Sequence, residues 1–225
     1  MCGRYTLTQA GAVPDLFEIS ELRIVPRFNI APSQESPVIR LDSEGRREGV
    51  FLRWGLIPHW MKEKPSGSPM INARVEGLET KPAFRAAFKY RRCLVPADGF
   101  YEWKQMPGRK RKQPYFFQLH DRALFAFAGL WEHFEKNGEA VESFTILTCD
   151  ANHLVAKVHD RMPVILPPDG YTAWLDSGTE PMVRHRLLAP YDSEAMDFYP
   201  VSPRVNSPAN DDEACIARWL PNASQ

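Results

Sequence analysis

The residues that could do chemistry begin at the second position. The opening run is Met1-Cys2-Gly3-Arg4-Tyr5-Thr6, and a methionine before a small residue is a usual substrate for initiator removal. Removal would leave Cys2 with a free α-amine and a thiol on neighbouring carbons. An α-amine titrates at about 8 and a free thiol at about 8.5, so each keeps a useful nucleophilic fraction near neutrality. An aldehyde would condense with the amine to an imine, and the thiolate would close on the imine carbon to give a thiazolidine, which resists hydrolysis. The competing reading makes Cys2 a small apolar residue buried at the start of a strand, where free cysteines are often found.

Three further stretches set polar groups among apolar neighbours: Ile71-Asn72-Ala73-Arg74-Val75-Glu76, Asp98-Gly99-Phe100-Tyr101-Glu102-Trp103 and His159-Asp160-Arg161-Met162-Pro163. Glu102, between Tyr101 and Trp103, would have its pKa raised by burial and exchange protons near neutrality; against this, strand alternation would turn it to water. His159 suits general acid or base work, or bonds a backbone carbonyl at a helix end. Asn72 would hydrogen-bond a small ligand or cap a turn. Arg74 and Arg161 would clamp phosphate or pair with Glu76 and Asp160. The cationic run Arg109-Lys110-Arg111-Lys112 divides evenly between a solvated hairpin tip and a phosphate contact.

The elements that must position these residues read mostly as strands. Strand character covers 2–7, 36–42, 48–57, 93–97, 100–105, 115–119, 125–132, 143–148, 162–166 and 197–201, with Asp98-Gly99 breaking two of them. A short helix is predicted at Asp15–Ser20 after Pro14, a Thr80-capped amphipathic helix at 81–90, a short helix at Asp150–Val158, and helical stretches near 169–176 and 181–188. Pro26 and Pro32 frame what reads as a loop. Thr148 falls just after a strand, before the predicted His159 helix. Helices are few and no βαβ alternation appears, which predicts an α+β class with a mostly antiparallel, barrel-like sheet and a few peripheral helices. No linker divides the chain, so residues 1–225 read as a single domain with a loop-rich tail from Pro203 onward.

The whole chain sets limits on function. With 44% hydrophobic and 12% aromatic residues, it can bury a core. Formal net charge is zero, so any nucleic-acid site is a local patch; 19 of the 28 basic residues are arginine, the residue suited to bidentate phosphate contacts. Cys2, Cys93, Cys149 and Cys215 lack zinc-ligand spacing. No metal or other cofactor is expected. There is no basic-then-apolar leader and no membrane-length apolar run, so the expected place is the cytoplasm, with reduced thiols.

Taken together, Met1-Cys2-Gly3-Arg4-Tyr5, Phe28-Asn29-Ile30-Ala31-Pro32, Trp54-Gly55-Leu56-Ile57-Pro58, Asn72-Ala73-Arg74-Val75-Glu76, Ala97-Asp98-Gly99-Phe100-Tyr101-Glu102-Trp103 and His159-Asp160-Arg161-Met162-Pro163 resemble, in order, the SRAP (SOS-response-associated peptidase) family. The blocks span about residues 2–165. The resemblance implies a protein that shields abasic sites in single-stranded DNA by a thiazolidine crosslink through Cys2, with autoproteolytic removal of Met1. It assigns proton transfers of imine formation to Glu102, sugar ring opening and crosslink reversal to His159, and hydrogen bonds to the sugar to Asn72. Arg4, Arg74 and Arg161 would hold phosphates, Pro32 and Trp60 would wedge or stack against DNA, and Thr148 would support the pocket. A lesion without a base offers no base edge, so phosphate contacts and stacking must carry recognition. The partners implied are abasic single-stranded DNA and replication-fork proteins, with no membrane, for a monomer associated with the nucleoid if bacterial. Two other classes compete: a cysteine peptidase or amidohydrolase with Cys2 as nucleophile, and a non-catalytic single-strand-binding module.

Overall fold

The structure is a computed structural model that describes residues 2–20, 22–61, 69–108 and 110–220. Its elements run β1 (Tyr5–Leu7), α1 (Val13–Phe17), β2 (Arg27–Ile30), β3 (Glu35–Leu41), β4 (Arg47–Trp54), β5 (Asn72–Arg74), α2 (Pro82–Tyr90), β6 (Arg92–Ala97) and β7 (Gly99–Lys104). They continue with β8 (Gln113–Leu119), β9 (Phe125–Lys136), β10 (Glu139–Asp150), β11 (Arg161–Pro163), β12 (Ile165–Leu166), α3 (Tyr171–Leu175), α4 (Pro181–Arg186) and β13 (Met196–Pro200). Five strands pair in the order β13-β8-β7-β1-β2; eight more follow β11-β10-β4-β3-β6-β9-β12, with β5 added on β10. Pairing is antiparallel apart from β10 with β4 and β5, so the predicted α+β class with a mostly antiparallel, barrel-like sheet holds.

β1 belongs to the first sheet but packs on the second. Tyr5 is fully buried, with its ring edge-on to Trp54 of β4 at 5.1 Å and to Phe127 of β9 at 5.8 Å. Its hydroxyl donates to Ser36 Oγ of β3 at 2.6 Å, the partner a buried phenol needs. The aromatic body and polar tip together fix how far β1 can slide between the sheets. Phe100, Phe117 and Phe127 extend the same apolar interior.

Several sequence expectations need correction. The segment between Pro26 and Pro32 is strand β2, paired with β1 at Tyr5↔Ile30 and Leu7↔Arg27; both prolines lie outside its ends, where a missing N–H costs no ladder bond. Asp150–Val158 is not a helix: β10 runs on to Asp150 by pairing with Arg161, and a single 3-10 turn at Val155–Lys157 follows. Thr148 therefore lies inside a strand. β9 and β10 are each 12 residues long, because Asn137 and Gly138 take φ of 52° and 78° and close a tight hairpin of the kind Asn-Gly favours. Thr80 caps nothing; the N-cap of α2 is Lys81, without a side-chain bond, and Pro82 supplies the start.

The segment after β13 is short on regular structure but firmly attached. Asn29 Nδ2 donates to Ser207 O at 3.0 Å and Asn210 O at 2.7 Å. Asp211 accepts from the Phe28 and Asn29 amides at 2.5 and 2.9 Å and pairs with Arg27. Arg4 Nη1 donates to Val205 O at 2.7 Å. Val205 and Cys215 are buried against Tyr101 and Phe116.

Arg92 is a buried cation, 3% exposed, whose donors end two helices. Its guanidinium reaches Phe88 O and Lys89 O in the last turn of α2 at 2.7 and 2.6 Å, and Trp174 O and Asp176 O at the end of α3 at 2.6 and 2.9 Å. Burial lowers its pKa to about 10, still charged at neutrality. Helix-terminal carbonyls need such donors. Arg92→Met is expected to lower the unfolding free energy by about 3 kcal/mol or more in urea titration, since stranded buried carbonyls cost roughly 1–3 kcal/mol each.

Candidate active site

The ladder between β1 and β7 delivers Cys2 to its neighbours. Tyr5 lies opposite Phe100 and Thr6 opposite Gly99, and the Tyr101 amide donates to Arg4 O at 3.0 Å. One further step in this register sets Gly3 beside Glu102. Gly99 makes room for β8 on the other side of β7: a Cβ there would fall 2.2 Å from the Phe116 ring.

Both ends of this segment are tied. Beyond β1, the buried Asp98 carboxylate accepts from Thr6 Oγ1 at 2.5 Å, the Thr8 amide at 2.5 Å, Thr8 Oγ1 at 2.6 Å and the Gln9 amide at 2.8 Å. Sequence reasoning missed this role; Asp98-Gly99 was legible as a break between strands, not as an anchor. Ahead of β1, Asn72 Nδ2 donates to Cys2 O at 2.8 Å. Asn72 comes from β5, which lies parallel to β10 with Asn72 opposite Ile146 and Arg74 opposite Thr148. The buried Asn72 Oδ1 and Thr148 Oγ1 have no hydrogen-bond partner among the described residues, leaving an acceptor and a hydroxyl open.

Burial sets the electrostatics. Cys2 is fully buried, its Sγ 3.8 Å from Arg4 O; burial first, then the Glu102 carboxylate, pushes its thiol well up. The ordinary thiolate fraction expected from sequence is therefore absent in the closed site. Glu102, 2% exposed, is raised to about 7 by burial, with Lys112 opposing and Asp160 adding to the shift. His159 is shifted down, by burial first, with Lys112 acting the same way and Asp160 against. The Arg161 amide donates to His159 Nδ1 at 2.9 Å, which places the neutral ring's proton on Nε2. Asp160 Oδ1 lies 2.9 Å from that Nδ1 and would pair with it only in the protonated ring; its 88% exposure screens that attraction.

Cys2, Asn72 and Glu102 thus come together, with His159 and Lys112 within electrostatic reach of Glu102's surroundings. The residues expected to contact DNA divide. Trp60 is 54% exposed, Arg74 is exposed on the strand that carries Asn72, and Pro32 is half-buried just past β2. Arg4 donates to Asn29 Oδ1 at 3.0 Å as well as Val205 O. Arg161 is buried, paired with Glu76 at 2.7 Å and Asp150 at 2.6 Å and donating to Thr148 O at 2.6 Å. A phosphate at Arg4 or Arg161 would have to share or replace these bonds. Among the described residues no group of three His, Cys, Asp or Glu could hold a metal ion, and no helix is long and apolar enough to cross a membrane.

The model of the SOS response associated peptidase (SRAP) family matches residues 1–208, and the chain belongs to this family. It is 44% identical over 217 residues to the abasic site processing protein YoaM of Bacillus subtilis, covering 93% of this chain and 95% of that protein. It is 32% identical to the abasic site processing protein HMCES of Rattus norvegicus, across 85% of this chain and 65% of that protein. Among solved structures, a protein from Bacteroides thetaiotaomicron superposes with a TM-score of 0.85 at 26% identity, covering 97% of this chain and 100% of that one.

The Glu102 shift has a direct consequence for stability. Its carboxyl ionises at about 4.5 when unperturbed and about 7 in the fold, so the native state binds the proton more tightly and loses stability as pH rises between those values. Glu102→Gln removes this penalty. It should stabilise the protein by up to about 3 kcal/mol at pH about 8 and have little effect at pH about 4, read from urea unfolding at both.

Proposed function

We propose that the chain processes abasic sites in single-stranded DNA, forming a thiazolidine crosslink through Cys2 once Met1 is removed. The observation that carries the reading is the Cys2 backbone held by Asn72 beside a buried carboxyl poised at about 7. An acid–base group working near neutrality is most effective with such a value.

Each step follows from a named group. The His159 Nε2–H hydrogen-bonds the ring oxygen as its bond to the anomeric carbon breaks, and Nε2 takes up the anomeric hydroxyl's proton as it gives its own to that oxygen, leaving the open aldehyde. The Cys2 amine adds to the aldehyde carbon, and protonated Glu102 gives its proton to the departing hydroxyl, which leaves as water. The Cys2 sulfur then bonds the imine carbon while the thiol proton passes to the Glu102 carboxylate. A thiol with a raised pKa suits this order, because it stays protonated until the imine is in place. The sum is aldehyde plus aminothiol giving thiazolidine plus water. Asn72 Oδ1 and Thr148 Oγ1 would accept from or donate to the sugar. Arg74 would hold a flanking phosphate, with Pro32 and Trp60 against the neighbouring bases; Arg4 and Arg161 frame the pocket and reach phosphate by sharing their present bonds. The peptidase activity in the family's description is assigned to release of Met1: Cys2 Sγ attacks the Met1 carbonyl, and water hydrolyses the thioester.

Intact mass of untagged protein, before and after mixing with single-stranded DNA bearing one abasic site, tests this. The expected result is a starting mass lacking Met1 and, without reductant and after denaturation, an adduct of protein plus DNA minus one water. Retained Met1, or binding without an adduct, overturns the reading. Cys2→Ala should give no adduct, and Glu102→Gln should slow its formation by about 100-fold in single-turnover assays.

A further inference from the structure

Cations near the site differ in what holds them. Arg4 and Arg161 are engaged by protein groups. The tip of the β7–β8 hairpin carries Lys110, Arg111 and Lys112, all exposed, and none of the three has a hydrogen bond or ion pair with the described residues. Arg109, the first of the run, lies outside those residues.

The hairpin fixes where this charge sits. Glu102 pairs with Tyr115, and Lys104 with Gln113 on the last rung, so Lys112 begins about 10 Å along the strand from Glu102, a span its side chain shortens. Its charge acts on both Glu102 and His159. Glu102 stands on β7 of the first sheet and His159 just ahead of β11 of the second, so the Lys112 charge is felt from both sheets. Arg74 lies exposed two residues beyond Asn72 on β5, in the second sheet, and the hairpin tip belongs to the first.

We propose that Lys110–Lys112 is a phosphate grip for the DNA strand on one side of the reactive site, opposite Arg74. The proposal rests on the reading that the site acts on abasic DNA. A site that cannot read a base must draw its affinity from the backbone, and this turn supplies donors of the right sign beside the reacting groups. Lys112 takes the phosphate adjoining the lesion; Arg111 and Lys110 take those that follow.

The test compares the triple variant Lys110→Gln, Arg111→Gln, Lys112→Gln with an equal-charge control at α2, Lys81→Gln, Arg85→Gln, Lys89→Gln. Binding of an undamaged single-stranded oligonucleotide is measured by fluorescence anisotropy between about 50 and 200 mM salt. Three lost phosphate contacts should weaken binding by about tenfold or more and make the slope of log affinity on log salt shallower by about 2, at roughly 0.7 per contact. The control should leave both unchanged. An unaltered slope in the turn variant, or an equal change in the control, overturns the proposal. At saturating abasic DNA the turn variant should form as much adduct as the wild type; loss of adduct there also overturns it, because the turn would then act in the chemistry. If the wild type forms no adduct while the slope still changes, the crosslinking reading fails and the grip stands.

Discussion

At the junction of β6 and β7 the carboxylate of Asp98 takes hydrogen bonds from Thr6, Thr8 and Gln9, and the geometry of the site depends on that anchor. Terminal strands ordinarily fray. A three-residue strand such as β1 has too few ladder bonds to hold itself. Asp98 fixes its downstream end, the Tyr5 ring and hydroxyl fix its depth between the sheets, and Asn72 fixes the carbonyl of Cys2 upstream. These three restraints tie β1 and the residues ahead of it, Cys2 included, to both sheets.

The same burial that orders Cys2 changes its chemistry. A free thiol would ionise readily and oxidise as readily. Here the thiol is driven toward its neutral form and Glu102 toward a value near 7, so both groups hold their protons more tightly than they would in water. Two buried groups that would each be costly when charged become a pair in which one proton can move without new charge entering the apolar surroundings. His159 is held in one tautomer by the Arg161 amide, which leaves its ring proton on Nε2.

How much of this could be read beforehand depended on the range of the interaction. Glu102 was legible because Tyr101 and Trp103 bracket it, and the fold class because alternation repeats over short intervals. The long β9–β10 hairpin was marked by Asn137-Gly138, a local signal that the strand estimates at 125–132 and 143–148 did not use. What the sequence could not disclose was non-local: that Asp98 anchors β1, that Arg161 meets Glu76 and Asp150, and that β2 exists because β1 lies beside it. For Arg4 and Arg161 the side-chain type was legible as able to bind phosphate, whereas the protein groups that hold them were not.

The stretch after β13 gives the molecule a temporal property as well as a spatial one. Arg4 and the carbonyl of Val205 that it holds are 201 residues apart, and Asn29 and Asp211 close β2 over a similar span. Contacts at such separation form late, since the chain must close its longest loop to make them. The groups that brace Arg4 and β2 thus come from the far end of the described residues, and these contacts couple one end of the fold to the other.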